Sequence, residues 1–525
     1  MESESRGIRV LNVRSRGDRL HYLVAVPDDQ VVHFANRFRQ YVEEDTIGGK
    51  PKNEPLAIGI QDIRSSDLAE YWTDADEALP ATDEQFWWEV WLADDGESDV
   101  EAWFRDNAQG QNIQLSEQSV RFPERAVVLA FASFAQWEQF PGLLQFLAEF
   151  RRANVITGEL LDLSPNEQSE FIADLLQRTQ FAGEDAPAVC VLDTGVNRGH
   201  PLLEPALLDG DTQSWRREWT SADQLGHGTE VAGLALYGDL AEIILSQDPC
   251  LLSHRLESVK VLPNVGENDP PDYGPITVGS MAMAELQAPE RNRTFCMAIT
   301  APSDRDAWRP SLWSATIDKA CAGTDDNTRR LIVLSAGNIR DTVGQNYPDE
   351  NLVSSIEDPG QSWNALTIGA YTDKIWPDEE MLAGYELIAP RGSQSPASRT
   401  SLSWGESEWP FKPDVVCEGG NYAKDGHGLI TTTDNLQLLT TQLIGTSDAL
   451  LGTSKDTSAA AALVAGMAAK LQAEYPSYWP ESIRGLIVHS AEWTPRMLEE
   501  FRRTHRHDRL RVYGWGVPNL ERARR

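Results

Sequence analysis

The sequence predicts an α/β protein: a parallel sheet flanked by helices, preceded by small α+β subdomains. Three observations lead there. From Ala186 onward, short apolar runs end in Gly, Asp, Asn or Ser and each leads into a loop or helix, the pattern of buried parallel strands. Before residue 180 the texture differs, with alternating strand-like runs followed by amphipathic stretches. The chain has 525 residues and is 41% hydrophobic, enough for a sizeable core and more than one domain.

The elements follow in order. "LHYLVAV" alternates as a strand, and Val31, Phe34, Phe38 and Tyr41 recur at helical spacing after it. "EPLAIGIQDI" reads as a second strand. The acidic stretch Trp72 to Gln85 reads as a solvated linker, which puts a subdomain boundary near 75–85. "EQFWWEVWLADD" is a strand and "SDVEAWFRDN" a short helix. "ERAVVLAFAS" then "FAQWEQFPGLLQFLAEFRRAN" repeats the strand-then-helix plan, a weak internal repeat over residues 1–180. The Trp and Phe side chains here are expected in cores. Residues 186–525 form the second domain. Its runs include "AVCVLDTG", "SVKVLP", "RTFCMAIT", "RRLIVLSAGN", "NALTIGAY" and "KPDVVCEGG". In such sheets the ligand sits at the carboxyl ends of the strands.

Charge excludes some functions. With 81 acidic and 46 basic residues the formal net charge is −35, which opposes nucleic-acid binding and docking on an anionic membrane. No run of about 18 apolar residues occurs, so no membrane span is expected. The opening "MESESRGIRVLNVRSRGD" lacks the pattern of a secretory signal. The five cysteines are scattered without metal-ligand spacing, as expected of reduced thiols in a cytoplasm.

Four segments carry chemistry. Asp193 ends the buried run "VCVLD", and His227 lies between two glycines at the head of a small-residue helix. Asn338 follows the run "LIVLSAG", and three serines, Ser447, Ser454 and Ser458, precede or open an Ala-rich helix. Asp, His, Ser is a known chain order for a triad. A serine hydroxyl needs a base, an imidazole supplies one near neutrality, and a buried carboxylate orients the imidazole. A side-chain amide can stabilise the oxyanion. Singly, each residue has a structural reading as cap, turn or satisfied core histidine. Their order and contexts together favour catalysis.

These segments, with "KPDVVCEGG", "FCMAIT" and "VYGWGVPNLERA", together resemble the subtilisin-like serine peptidases. The resemblance covers roughly residues 186–525 and implies a subtilisin-like parallel sheet. It implies a serine endopeptidase with Asp193, His227 and Ser458 as triad and Asn338 as oxyanion donor. It further implies that Met297, Ala298, Ile299 and Thr300 pair with an extended peptide. Ser454 follows Gly452-Thr453, the family's usual pair, whereas Ser458 follows Asp456-Thr457. The family spaces its serine five residues before Val-Ala-Gly, and counting back from Val464-Ala465-Gly466 reaches Ser458. Moving the nucleophile four residues back shifts it by about 6 Å along a helix axis. Asp456 departs from the family pattern: it either opposes a developing oxyanion or points away.

No cofactor is called for, and no residue set is assigned to the structural calcium that the family admits. The general plan resembles cytoplasmic bacterial subtilases that act with a separate ATPase, some in phage defence. The chain itself has no phosphate-binding Gly-x-x-x-x-Gly-Lys-Ser/Thr segment. The N-terminal region is expected to hold the enzyme latent, alone or with a partner. Two other readings stand beside this one: a catalytically silent peptide-binding scaffold, and an esterase or amidase using the same triad.

Overall fold

The computed structural model describes residues 9–16, 19–26, 30–46, 48–54, 60, 62–73, 79–82, 85–94, 99–111, 113–122, 125–140, 142–153, 157–244, 249–302, 308–375, 384–404, 409–445, 448–502 and 505–525. They form two compact units, Met1–Asn154 and Val155–Arg525.

In the first unit, β1 (Arg9–Arg16) and β2 (Arg19–Ala25) form a hairpin, followed by helix α1 (Val31–Glu43). The larger part runs β3 (Gln85–Ala93), α2 (Val100–Gln109), β4 (Gln114–Phe122), β5 (Arg125–Ser133), α3 (Phe134–Glu138) and β6 (Leu147–Arg152). The sheet is antiparallel in the order β4-β5-β3-β6. Strand, helix, strand thus occurs twice. The helix expected over residues 134–154 is corrected here. It stops at Glu138, and Leu147–Arg152 is a strand paired with β3. Pro141 in the sequence breaks the helical period, and Gly142 takes a left-handed backbone with φ of 75°. Phe150 then packs on Trp88 at 5.0 Å between ring centroids, so tertiary packing outweighs helix propensity. Trp72, expected in a linker, is buried and meets Trp88 edge-on at 5.3 Å. The expected strand at 54–63 lies largely outside the described residues.

The second unit is built on an eight-stranded sheet. Its members are β7 (Ala188–Asp193), β8 (Thr212–Ser214), β9 (Arg255–Lys260), β10 (Arg293–Met297), β11 (Leu331–Ser335), β12 (Leu366–Thr372), β13 (Ser393–Gln394) and β14 (Val415–Glu418). The order is β13-β12-β11-β10-β7-β9-β8, with β14 also pairing with β12. All pairs are parallel except β12 with β13. Side-chain alternation explains the layers. Val189 and Val191 of β7 enter one core, and Cys190 and Leu192 the other. The first core is covered by α5 (His227–Tyr237) and α8 (Asp456–Glu474), and the second by α6 (Tyr273–Gln287) and α7 (Leu312–Ala322). Ala459 to Ala462 of α8 are fully buried, so a helix of small residues fits a site with no solvent face.

Helix α4 (Pro165–Arg178) opens with a capping box between Ser164 and Glu167. Its Ile172 and Leu175 join the first core with Val189. Residues 157–180 therefore fold with the second unit, although their texture groups them with the N-terminal region. The chain passes from β7 outward to β9 and then returns across to β10. The crevice at the carboxyl ends of β7 and β10 is thus the switch point of the sheet. Among the described residues no helix is long and apolar enough to cross a membrane.

Candidate active site

Asp193 is the last residue of β7 and fully buried. Its Oδ1 accepts from the Thr194 amide at 2.7 Å and from Nδ1 of His227 at 2.8 Å. Among the described residues Oδ2 has no hydrogen-bond partner. That contact assigns the ring tautomer: Nδ1 carries the hydrogen when His227 is neutral, leaving Nε2 as acceptor.

His227 opens helix α5. Helix and strand come this close because Gly228 lacks a side chain: a Cβ there would lie 2.0 Å from the Gly195 carbonyl oxygen. The Gly228 amide donates to Thr194 Oγ1 at 2.9 Å. Asp223, buried in the preceding loop, fixes the helix start. Its Oδ1 accepts from the amides of Leu225 and Gly226, both at 2.9 Å. Its Oδ2 accepts from the amide and hydroxyl of Thr229 at 3.0 and 2.7 Å. The spacing "DQLG" is a turn and capping signal that points to Asp223 in the sequence.

The electrostatics follow from this crowding. Burial works to lower the His227 pKa. The Asp193 carboxylate outweighs it by charge and hydrogen bond, Glu230 and Asp223 add to it, and the pKa is held up to about 9. The His227 side chain still keeps 37% of its surface exposed, so it is open to a reactant.

Asn338 lies three residues beyond β11. Its Oδ1 accepts from the amide of Thr457 at 3.1 Å and from the Thr457 hydroxyl at 2.7 Å. The Thr457 main-chain N–H can only donate, so the oxygen takes that position and the amide nitrogen faces the other way, free to donate. Thr457 precedes Ser458 on the first turn of α8.

Ser458 donates its hydroxyl to the Ala298 carbonyl at 3.3 Å, and not to His227, in this structure. Ser454 ends strand β16 (Leu451–Ser454), which pairs with β15 (Leu438–Thr441). Its hydroxyl lies beside Glu230, whose carboxyl pKa is raised by burial and partly brought back by Ser454. Ser447 lies outside the described residues. Asp456 points to Tyr422, whose hydroxyl donates to its Oδ1 at 2.9 Å. Its backbone is left-handed, with φ of 64°.

Met297 is buried at the end of β10 and paired with Leu334. Beyond it, Ala298, Ile299 and Thr300 leave the named strands. The Thr300 hydroxyl donates to Glu357 at 2.5 Å. The structure therefore brings Asp193 to His227, Asn338 to the turn before Ser458, and Ser458 to Ala298. Among the described residues no cluster of three or more His, Cys, Asp or Glu could hold a metal ion.

The sequence profile of the subtilase family matches residues 184–516. A curated subtilisin from Bacillus sp. (strain TA39) is 25% identical over 317 residues, 60% of this chain and 63% of the relative. The chain thus spans less than two thirds of the length of the curated relative it matches. Among solved structures, sphericase is 20% identical with a TM-score of 0.40, covering 59% of this chain and 84% of its own. A lanthipeptide protease is 17% identical with a TM-score of 0.42, covering 70% and 93%.

Proposed function

Because the chain belongs to the subtilase family, we propose that it is a serine endopeptidase whose triad is Asp193, His227 and Ser458. The observation that carries the reading is the 2.8 Å bond between Asp193 Oδ1 and His227 Nδ1, which leaves Nε2 as the base. In the proposed reaction the Ser458 hydroxyl leaves the Ala298 carbonyl, gives its proton to Nε2 and attacks the scissile carbonyl. The His227 proton then passes to the leaving amine as the C–N bond breaks. A water, giving a proton to Nε2, attacks the acyl-serine to release the carboxylic acid and restore the Ser458 hydroxyl. The Asn338 amide nitrogen and the Ser458 main-chain N–H receive the oxyanion. An extended peptide pairs with residues 297–300 by strand addition. No cofactor takes part.

Asp456 bears on the alternative of a silent scaffold. A carboxylate held by Tyr422 is turned to a partner of its own, which supports a working site. We place the enzyme inside the cell; its five free cysteines, with Cys190, Cys296 and Cys321 buried, support a reducing compartment. The N-terminal unit has its own aromatic core, and we assign it restraint of the peptidase. The same reading includes a separate ATPase partner, to be sought by affinity purification of the full chain.

Fluorophosphonate labelling with peptide mapping tests the nucleophile. Label is expected on Ser458, lost in Ser458→Ala and kept in Ser454→Ala. Label on Ser454, or none even after limited proteolysis of the N-terminal unit, sinks the assignment.

A further inference from the structure

The Asn338 side chain is anchored at one end by Thr457, but an oxyanion donor also needs a fixed main chain. Arg399 supplies that anchor. Its Nε donates to the Asn338 carbonyl at 3.0 Å, and one terminal nitrogen donates to the Ser355 carbonyl at 3.1 Å. The other lies 3.2 Å from Glu357 Oε1. All three nitrogens of one planar group are thus committed, to three positions along the chain.

Glu357 is the second half of the arrangement. It is 4% exposed and its charge is balanced by Arg399. Its other oxygen accepts from the Thr300 hydroxyl at 2.5 Å. The side chain lies flat on Gly337, the residue before Asn338: a Cβ at Gly337, whose φ is 90°, would meet Glu357 Cβ at 2.7 Å. Main-chain bonds reinforce the contact, from the Glu357 amide to the Ala336 carbonyl at 3.0 Å and from the Asp358 amide to the Ala301 carbonyl at 3.1 Å. One carboxylate therefore touches both the turn that carries Asn338 and the segment that carries Ala298.

We propose that Arg399 and Glu357 are positioning residues for the oxyanion donor, holding the Asn338 main chain in register with residues 298–300. The inference rests on the peptidase reading above. Neither residue touches the reacting atoms; both act through Asn338. Their contribution should appear in kcat, because the donor they aim acts on the transition state. A donor displaced by about 1 Å can cost on the order of a hundredfold.

Arg399→Lys separates positioning from charge. Lysine keeps the positive charge beside Glu357, so the buried carboxylate stays balanced. It cannot reach three acceptors in one plane. The test is a double-mutant cycle on the full chain, with peptide p-nitroanilides as substrates and a thermal melt of each variant. Arg399→Lys should lower kcat about tenfold with KM within about twofold. In an Asn338→Ala background the same substitution should change kcat by less than about twofold, because the group it positions is gone. Glu357→Gln enters the same cycle as a second variant and should behave alike. Full kcat in Arg399→Lys, or an equal drop in both backgrounds, overturns the proposal while the peptidase reading stands. A wild type that cleaves no peptide and takes no label, before or after limited proteolysis of the N-terminal unit, removes the peptidase reading and this inference with it.

Discussion

Around His227 three carboxylates act on one imidazole, and their balance sets when the base is available. With its pKa near 9, about one ring in a hundred is the free base at pH 7. The base form is the deprotonated one, so kcat/KM should climb about tenfold per pH unit through neutrality and level off above 9. Glu230 lies one turn beyond His227 on the same helix and raises its pKa. Glu230→Gln should move the alkaline limb to lower pH and increase activity at pH 7. A limb that stays in place after this change would count against the electrostatic account. Part of this site is legible in the sequence, because Asp193 and Asn338 each close a buried run and His227 sits between two glycines at the head of a small-residue helix. Glu230, Arg399 and Glu357 are not, since their roles arise from chain segments that only the fold brings together. Ser454 illustrates the difference. Its local motif suits a nucleophile, while its place at the end of β16 makes it the partner of Glu230.

Among the elements, the start of α8 carries a cost that its sequence exposes. Asp456 takes the left-handed region, which costs a non-glycine residue about 1–2 kcal/mol. Tyr422 offsets this through its hydrogen bond, and the Asp456 amide donates to Gly419 at 2.7 Å. Asp456→Gly removes both the strain and the bond, so its stability should stay within about 1 kcal/mol of the wild type. Asp456→Ala keeps the strain and loses the bond, and should cost about 2 kcal/mol. Thermal melts of the two variants decide, and equal stability would refute the argument. Neither change should move kcat more than about threefold, because the carboxylate faces Tyr422. A large gain in Asp456→Gly would mean instead that the carboxylate opposes the oxyanion. The helix itself was readable from its run of small residues and the following Pro476. The strand Leu147–Arg152 was not, because its partners on β3 lie 55 to 64 residues away in sequence, beyond any local period.

For the whole molecule, pH acts on stability through buried groups outside the proposed triad as well as through His227. His200 and His254 are fully buried. His200 donates from Nε2 to the Leu450 carbonyl at 2.7 Å, and its Nδ1 accepts from the Leu202 amide at 3.2 Å. A second ring proton would face that amide. His254 donates to the Ala235 carbonyl at 2.9 Å. Burial lowers both pKa values to about 4, from an unfolded value near 6.5. Between pH 6.5 and 4 the unfolded chain therefore binds more protons, and stability falls as pH falls. His227 has the opposite sign: its raised pKa favours the folded state below pH 6.5, and that contribution is lost as pH rises through 9. Glu418, raised by burial to about 7, also gives up stability as pH climbs from the carboxyl range. With a net charge of −35, carboxylate protonation further relieves repulsion in acid. These effects overlap, so the slope of Tm with pH must be compared between variants. His200→Gln and His254→Gln should each be less stable than the wild type at pH 8. Each should also lose less in going to pH 4.5, since the penalty for charging one buried ring has gone. A slope unchanged from wild type in both variants would show that these rings do not govern the acid limb. Across the upper range, the deprotonation of His227 that activates the proposed base removes its stabilising ion pair. Activity should therefore peak at a higher pH than stability, and parallel measurements of kcat/KM and Tm between pH 6 and 10 should show the two maxima apart.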